Sequence, residues 1–182
     1  MRVLIAGGAT GIGFETARPL SDLVHLVIVG AQAEAQIKDA REQCADDANI
    51  EFVKLDVRSE SDRKAMAGRR IDVLINNAAR NRRIGVLDAD EEAFDSIIGV
   101  NLKGAFFLSQ QVGRHMVGRK SGSIINVVSG NAVNMLGGCG LYGATKSAMA
   151  AITRAQAIEL AKHGVRANAI SPGSTRTPLT TP

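Results

Sequence analysis

Tyr142 and Lys146 stand four residues apart in Tyr142-Gly143-Ala144-Thr145-Lys146. On a helix that spacing puts both side chains on one face. An ammonium near a phenol favours the phenolate, so Lys146 is expected to lower the Tyr142 pKa. Such a pair suits proton transfer to or from a carbonyl or alcohol oxygen. Tyr142 is also the single tyrosine of the chain. Upstream, Ser129 closes the run Ile124-Ile125-Asn126-Val127-Val128, and Asn101 lies in Val100-Asn101-Leu102 within a long helical pattern. Each has a plainer reading when taken singly. Ser129 can cap a strand end, Asn101 can be a helix-bending polar residue, and Lys146 can belong to a solvated face.

A second group of residues could hold a phosphate-bearing cofactor. Gly7-Gly8-Ala9-Thr10-Gly11-Ile12-Gly13 follows the apolar run Val3-Leu4-Ile5 and precedes a helical pattern. Glycines permit positive φ and let backbone N–H groups approach a pyrophosphate at a helix N-terminus. A strand, a glycine loop and a helix in that order form the required context for a dinucleotide site. The second apolar run ends in Val29-Gly30-Ala31-Gln32. It has neither a carboxylate for a ribose 2′-hydroxyl nor an arginine for a 2′-phosphate. Glu34 falls inside the next helix. The missing carboxylate removes a repulsion, which tips the balance toward NADP and leaves NAD open. Asp56-Val57 ends the third run and Asn76-Asn77-Ala78-Ala79 the fourth. Pro172-Gly173, with Thr175 and Thr177 beyond, follows the last. A turn cap is the plainer reading of Asp56, and an ordinary turn that of Pro172-Gly173.

These residues need elements to position them. Apolar runs at Val3–Ile5, Leu26–Val29, Phe52–Leu55, Val73–Ile75, Ile124–Val128 and the more mixed Arg166–Ile170 predict six strands. Helical patterns fall at about 12–22, 33–46, 59–68, 91–118 (read as two helices) and 141–163. Continuous apolar strands alternating with helices predict an α/β fold, a doubly wound parallel sheet in three α/β/α layers. Ligands of such sheets bind beyond the carboxyl ends of the strands. Every run named ends in Gly, Asp, Asn or Ser. No repeat or linker divides residues 1–182, which read as one domain.

Composition narrows the partners. The 182 residues are 45% hydrophobic and 22% charged, an ordinary globular mixture. Five Phe, one Tyr and no Trp give no stacking platform for single-stranded nucleic acid. A net charge of +4 is too mild to imply nucleic acid. Cys44 and Cys139 fit no metal spacing, and no metal is expected. No run reaches the ~18 apolar residues of a membrane span. The apolar start stops at Gly7, too short for a signal peptide, so a cytoplasmic protein with reduced thiols is expected. Arg80, Arg82 and Arg83 crowd the loop after Asn77, as an attractor for an anion or as a solvated basic loop.

The Gly-x-x-x-Gly-x-Gly spacing, followed by Asn101, Ser129, Tyr142 and Lys146 in that order, resembles the classical branch of the short-chain dehydrogenase/reductase family. The resemblance runs from Val3 to Pro178. It departs at Ala6 and Ala79, where the family usually has Thr and Gly. It implies a Rossmann-type fold and hydride transfer between NAD(P) and a small alcohol or ketone. Ser129 would polarise the substrate oxygen and Tyr142 would transfer the proton. Lys146 would lower the Tyr142 pKa and hold the nicotinamide ribose. Asn101 would anchor a water of the proton relay. Gly7, Ala9, Thr10, Gly11, Ile12, Gly13, Asp56, Val57, Asn77 and Ala78 would bind the cofactor, with Tyr142, Lys146, Pro172, Gly173, Thr175 and Thr177 at its nicotinamide end. Oxoacyl-thioester reductases and sugar or polyol dehydrogenases are the nearest subgroups. Family members continue past the Pro-Gly turn with a substrate loop, a helix and a seventh strand. A sheet lacking the usual last strand is therefore expected, as in a fragment or in a protein that has lost its substrate lid. Pairing into a homodimer or homotetramer through the helices at about 101–118 and 141–163 is implied. The alternative is a cofactor-binding module without turnover, in a regulatory or interaction role.

Overall fold

The computed structural model describes residues 1–45 and 47–179. Its six strands are β1 (Arg2–Ala6), β2 (Leu26–Ala31), β3 (Ile50–Lys54), β4 (Val73–Asn76), β5 (Gly122–Val127) and β6 (Val165–Ile170). All pair in parallel, in the order β3-β2-β1-β4-β5-β6. The helices are α1 (Gly11–Ser21), α2 (Glu34–Gln43), α3 (Glu60–Ala67), α4 (Glu91–Ile98), α5 (Ala105–Arg119) and α6 (Gly140–Ala161).

The apolar runs are continuous because alternate residues feed opposite layers. Val3, Ile5, Val27 and Val29 pack with Phe14, Ala17, Ile37 and Ala40 of α1 and α2. Leu4, Ile28, Leu74 and Ile124 pack with Met66, Leu108, Val112 and Met116 of α3 and α5. This is the expected three-layer, doubly wound sheet. Among the described residues no strand lies outside β6, so β6 is an edge, and Ile170 at its end is 54% exposed. No helix among the described residues is long and apolar enough to cross a membrane.

Several boundaries differ from expectation. β3 begins at Ile50 and closes before Leu55. The helix expected to reach 46 ends at Gln43, and Asp46 lies outside the described residues. The two helices expected over 91–118 form one helical path, joined by a π turn at Gly99–Gly104. A Cβ on Gly104 would stand 2.7 Å from Val57 Cγ2 and 2.9 Å from the Val57 carbonyl oxygen. Glycine there lets this helix run against the end of the chain segment after β3, and the π turn it closes carries Asn101.

Candidate active site

The strand order reverses between β1 and β4, where a doubly wound sheet opens a crevice. Gly7 at the end of β1 has φ 75°, and Gly11 at the start of α1 has φ 55°. A Cβ on Gly7 would lie 2.5 Å from Ala78 Cα, beyond β4. A Cβ on Gly13 would lie 2.5 Å from the Gly7 carbonyl oxygen. That oxygen accepts a hydrogen bond from Asn77 Nδ2 at 2.6 Å. Asn76 turns the other way, donating to Ser109 Oγ at 2.7 Å and to Asn126 Oδ1 at 2.8 Å. Asn126 in turn donates to Thr153 and Gln156 of α6. One asparagine braces the glycine loop and its neighbour braces the sheet.

A cavity of about 320 Å³ opens over this crevice. Gly7, Ala9, Thr10, Gly11 and Ile12 form one wall, and Asn77, Ala78, Ala79 and Arg80 another. Gln32, Gln36, Asp56, Val57, Val100 and Thr177 complete much of the rest. Thr10 caps α1 without a side-chain hydrogen bond, and no acidic residue stands in the first turn of α1. The unpaired N–H groups of that turn are open to an anion. This cradle fits the phosphates of a dinucleotide. No group of His, Cys, Asp or Glu that could hold a metal occurs among the described residues.

Asp56 lines the cavity and caps its turn. Its carboxylate accepts from the Arg58 backbone at 2.9 Å and pairs with the Arg58 guanidinium at 2.7 Å. The Arg58 hydrogen bond holds the Asp56 pKa below its usual value. Arg80 contributes Nη1 to Ser96 Oγ at 2.7 Å, and Arg82 forms only an exposed pair with Asp90 at 3.4 Å. An exposed pair of that kind adds little.

The Tyr142 group lies outside that cavity, at the end of β5. Lys146 Nζ stands 5.5 Å from the Tyr142 ring centroid and donates to the Val127 carbonyl at 2.7 Å. Lys146 is 3% exposed, and burial pushes its pKa down to about 8. The solvated-face reading of Lys146 is thereby overturned. The expected depression of the Tyr142 pKa is not found either. Burial raises it, and only the hydrogen bond with Ser129 pulls it down. The Lys146 ammonium lies beside the ring and donates to the Val127 carbonyl, and burial of the phenol outweighs what lowers its pKa. Ser129 is both cap and neighbour of the phenol: its Oγ accepts from Asn131 N at 3.2 Å. The Pro-Gly turn joins here, since Gly130 N donates to the Pro172 carbonyl at 3.1 Å. Neither Pro172, Gly173 nor Thr175 lines the cavity, whereas Thr177 does.

Asn101 is 2% exposed. Its Oδ1 accepts from Arg80 N at 2.7 Å, and its Nδ2 donates to the Arg80 carbonyl at 2.9 Å and to Thr145 Oγ1 at 3.2 Å. The side chain thus clamps the loop after β4 to α6. Thr145, fully buried, passes the link to the Tyr142 carbonyl at 2.6 Å. Sequence reading missed Thr145; its only signal was a polar residue between Tyr142 and Lys146. It also missed Val100, whose signal was its place beside Asn101.

The sheet order, the crevice and the glycine cradle define a Rossmann-type nucleotide-binding protein. More narrowly, the chain belongs to the short-chain dehydrogenase/reductase family, a family of NAD(P)-dependent oxidoreductases: the family model described as short chain dehydrogenase matches residues 1–182. It is 32% identical over 196 residues to 5-keto-D-gluconate 5-reductase of Escherichia coli, covering 98% of this chain and 73% of that protein. It is 33% identical over 186 residues to a 3-oxoacyl-[acyl-carrier-protein] reductase of Thermotoga maritima, covering 97% and 75%. Among solved structures, ElxO with NADP bound matches at TM-score 0.91 and 29% identity over 97% of this chain and 75% of that one. A gluconate 5-dehydrogenase of Burkholderia cenocepacia, in complex with NADP and tartrate, matches at TM-score 0.89 and 29% identity over 98% and 72%. The chain spans about three quarters of the length of these relatives.

Proposed function

We propose that the chain interconverts a secondary alcohol and a ketone, with Tyr142 as the proton-transfer group. The observation that carries this reading is the cluster of half-buried Tyr142 and Ser129 with buried Lys146 at the end of β5. Burial keeps Tyr142 protonated at neutral pH, so it is ready to give a proton to a carbonyl oxygen. The Ser129 hydroxyl polarises the same oxygen. Lys146, with its pKa near 8, carries its charge at neutral pH and steadies the negative charge that develops on the phenol as the proton leaves. Asn101 and Thr145 hold the floor of this group in place. Gly7, Ala9, Thr10, Gly11, Ile12 and Gly13 would hold the cofactor phosphates, and Asp56 and Val57 its adenine. Asn77 and Ala78 would line its path, with Pro172, Gly173, Thr175 and Thr177 toward the nicotinamide. When bound, the nicotinamide cofactor supplies or accepts the hydride. Neutral Gln32 and Gln36 in the cavity wall favour NADP over NAD, because no carboxylate repels a 2′-phosphate. Pairing of two copies through α5 and α6, where Phe106 and Ile158 are exposed, belongs to the same proposal.

The test is oxidation of NADPH and NADH against a panel of ketones. Turnover is expected, faster with NADPH. Tyr142→Phe should lower it by on the order of 10²–10⁴-fold and leave cofactor affinity intact. Undiminished turnover in that variant would refute the role of Tyr142. Cofactor binding without turnover on any ketone would make the chain a non-catalytic binding module.

A further inference from the structure

Arg63, on α3, is a buried cation that the chemistry of Tyr142 does not use. It is 5% exposed, and no carboxylate pairs with it among the described residues. Its Nη1 donates to the Val57 carbonyl at 2.6 Å, and its guanidinium carbon lies 5.7 Å from the Phe107 ring centroid on α5. Its Nε has no hydrogen-bond partner among the described residues. Burying a guanidinium without a carboxylate is costly. The ring face and the charge-assisted bond to the carbonyl are what offset that cost. The preceding residue, Asp62, grips the same turn, since its Oδ2 accepts from Asp56 N at 2.9 Å. Gly104 closes on Val57 from α5. Asp56 and Val57 line the glycine-loop cavity, whereas Asp62, Arg63 and Phe107 do not. This stretch of the cavity wall is therefore held from behind.

We infer that Arg63 is a positioning residue of the cofactor site: by holding the Val57 carbonyl against α3 and α5, it sets the wall that meets the adenine. The inference rests on the reading of Asp56 and Val57 as the adenine end. Both oxygens of the Asp56 carboxylate are engaged by Arg58. Recognition at this turn then depends on where its backbone and the Val57 side chain stand. Without Arg63 the Val57 carbonyl loses its charged donor. A buried carbonyl left unpaired turns toward water, and the nearest open space is the cavity that Val57 lines.

The test reads the affinity of adenosine 2′,5′-bisphosphate, the adenine half of NADP, by calorimetry, and so needs no turnover. Arg63→Met keeps the aliphatic stem and removes the charge and the donor. Affinity should fall on the order of tenfold. The urea midpoint should stay near that of the parent, because an apolar side chain replaces an unpaired buried charge. In ketone reduction the KM for NADPH should rise with kcat unchanged. Val57→Ala checks the adenine reading itself. Weaker binding in Val57→Ala with parent-like binding in Arg63→Met overturns the inference alone. Parent-like binding in both overturns the adenine reading with it. A lowered urea midpoint without loss of affinity makes Arg63 purely structural and also overturns the inference. Should Arg63→Met fail to fold, Phe107→Leu unseats the guanidinium instead and should weaken the bisphosphate about threefold. Unchanged affinity in that variant overturns the inference.

Discussion

Lys146 shows how one residue ties stability to chemistry. It is a cation buried to 3% exposure, with a backbone carbonyl as partner in place of a carboxylate. Burial lowers its pKa from 10.5 to about 8. Between those values the unfolded chain binds more protons than the folded one, so this group makes stability rise with pH in that window. Below about pH 8 the cost of burying the charge is present in full; above the unfolded pKa it is gone. Lys146→Met keeps much of the side-chain volume and removes the charge. Its stability relative to the parent should be greatest at neutral pH and should decline toward about pH 10, measured by urea midpoints. A difference that does not change with pH would refute the buried-charge account.

At the scale of elements, the π turn between α4 and α5 brings Val100 to the cavity wall and sets Gly104 against Val57, another wall residue. Gly104→Ala places a methyl against Val57, including its backbone. Helix propensity alone would favour alanine by roughly 1 kcal/mol, but overpacking against a fixed wall costs about 1–3 kcal/mol and is expected to prevail. The variant should unfold at lower denaturant and bind NADP more weakly, because Val57 lines the cavity. A more stable variant with unchanged affinity would show that the wall yields freely. The π turn also marks the limit of sequence reading. Strands such as Leu26–Ala31 were legible because two-sided burial leaves an uninterrupted apolar run. The glycine loop was legible because its φ values leave few residue types to choose from. The π turn was not, since Gly99-Val100-Asn101 fits an α-helical period equally well. Nor was the sign of the Tyr142 pKa shift. Spacing brings Lys146 to the same face but says nothing of how deeply the phenol is buried or which carbonyl holds the ammonium. Thr145 and the Asn101 clamp depend on a contact between residues 44 positions apart, which no local pattern records.

In the molecule as a whole, β6 is the weak side. Arg166, Asn168, Ala169 and Ile170 are exposed, and the outer edge of the strand has no partner among the described residues. Such an edge invites pairing with another chain. Ile170→Lys puts a charge on it and should reduce concentration-dependent association of the 182-residue chain in sedimentation. Unchanged association would place the contact elsewhere, for instance at the exposed faces of α5 and α6.

The crevice itself joins distant parts of the chain. Asn77 grips the Gly7 carbonyl across 70 positions, and Arg2 N is held by Asp72 across the same span. The glycine loop therefore leaves the ribosome long before the asparagine that shapes it. Because every strand pairing is parallel, none of the sheet can form as a simple hairpin, and such non-local pairing folds slowly. The phosphate cradle is a product of nearly complete folding of the central sheet. A cofactor that binds it stabilises that whole assembly by mass action, and a nascent chain that has not yet reached Asn77 has no cradle to offer.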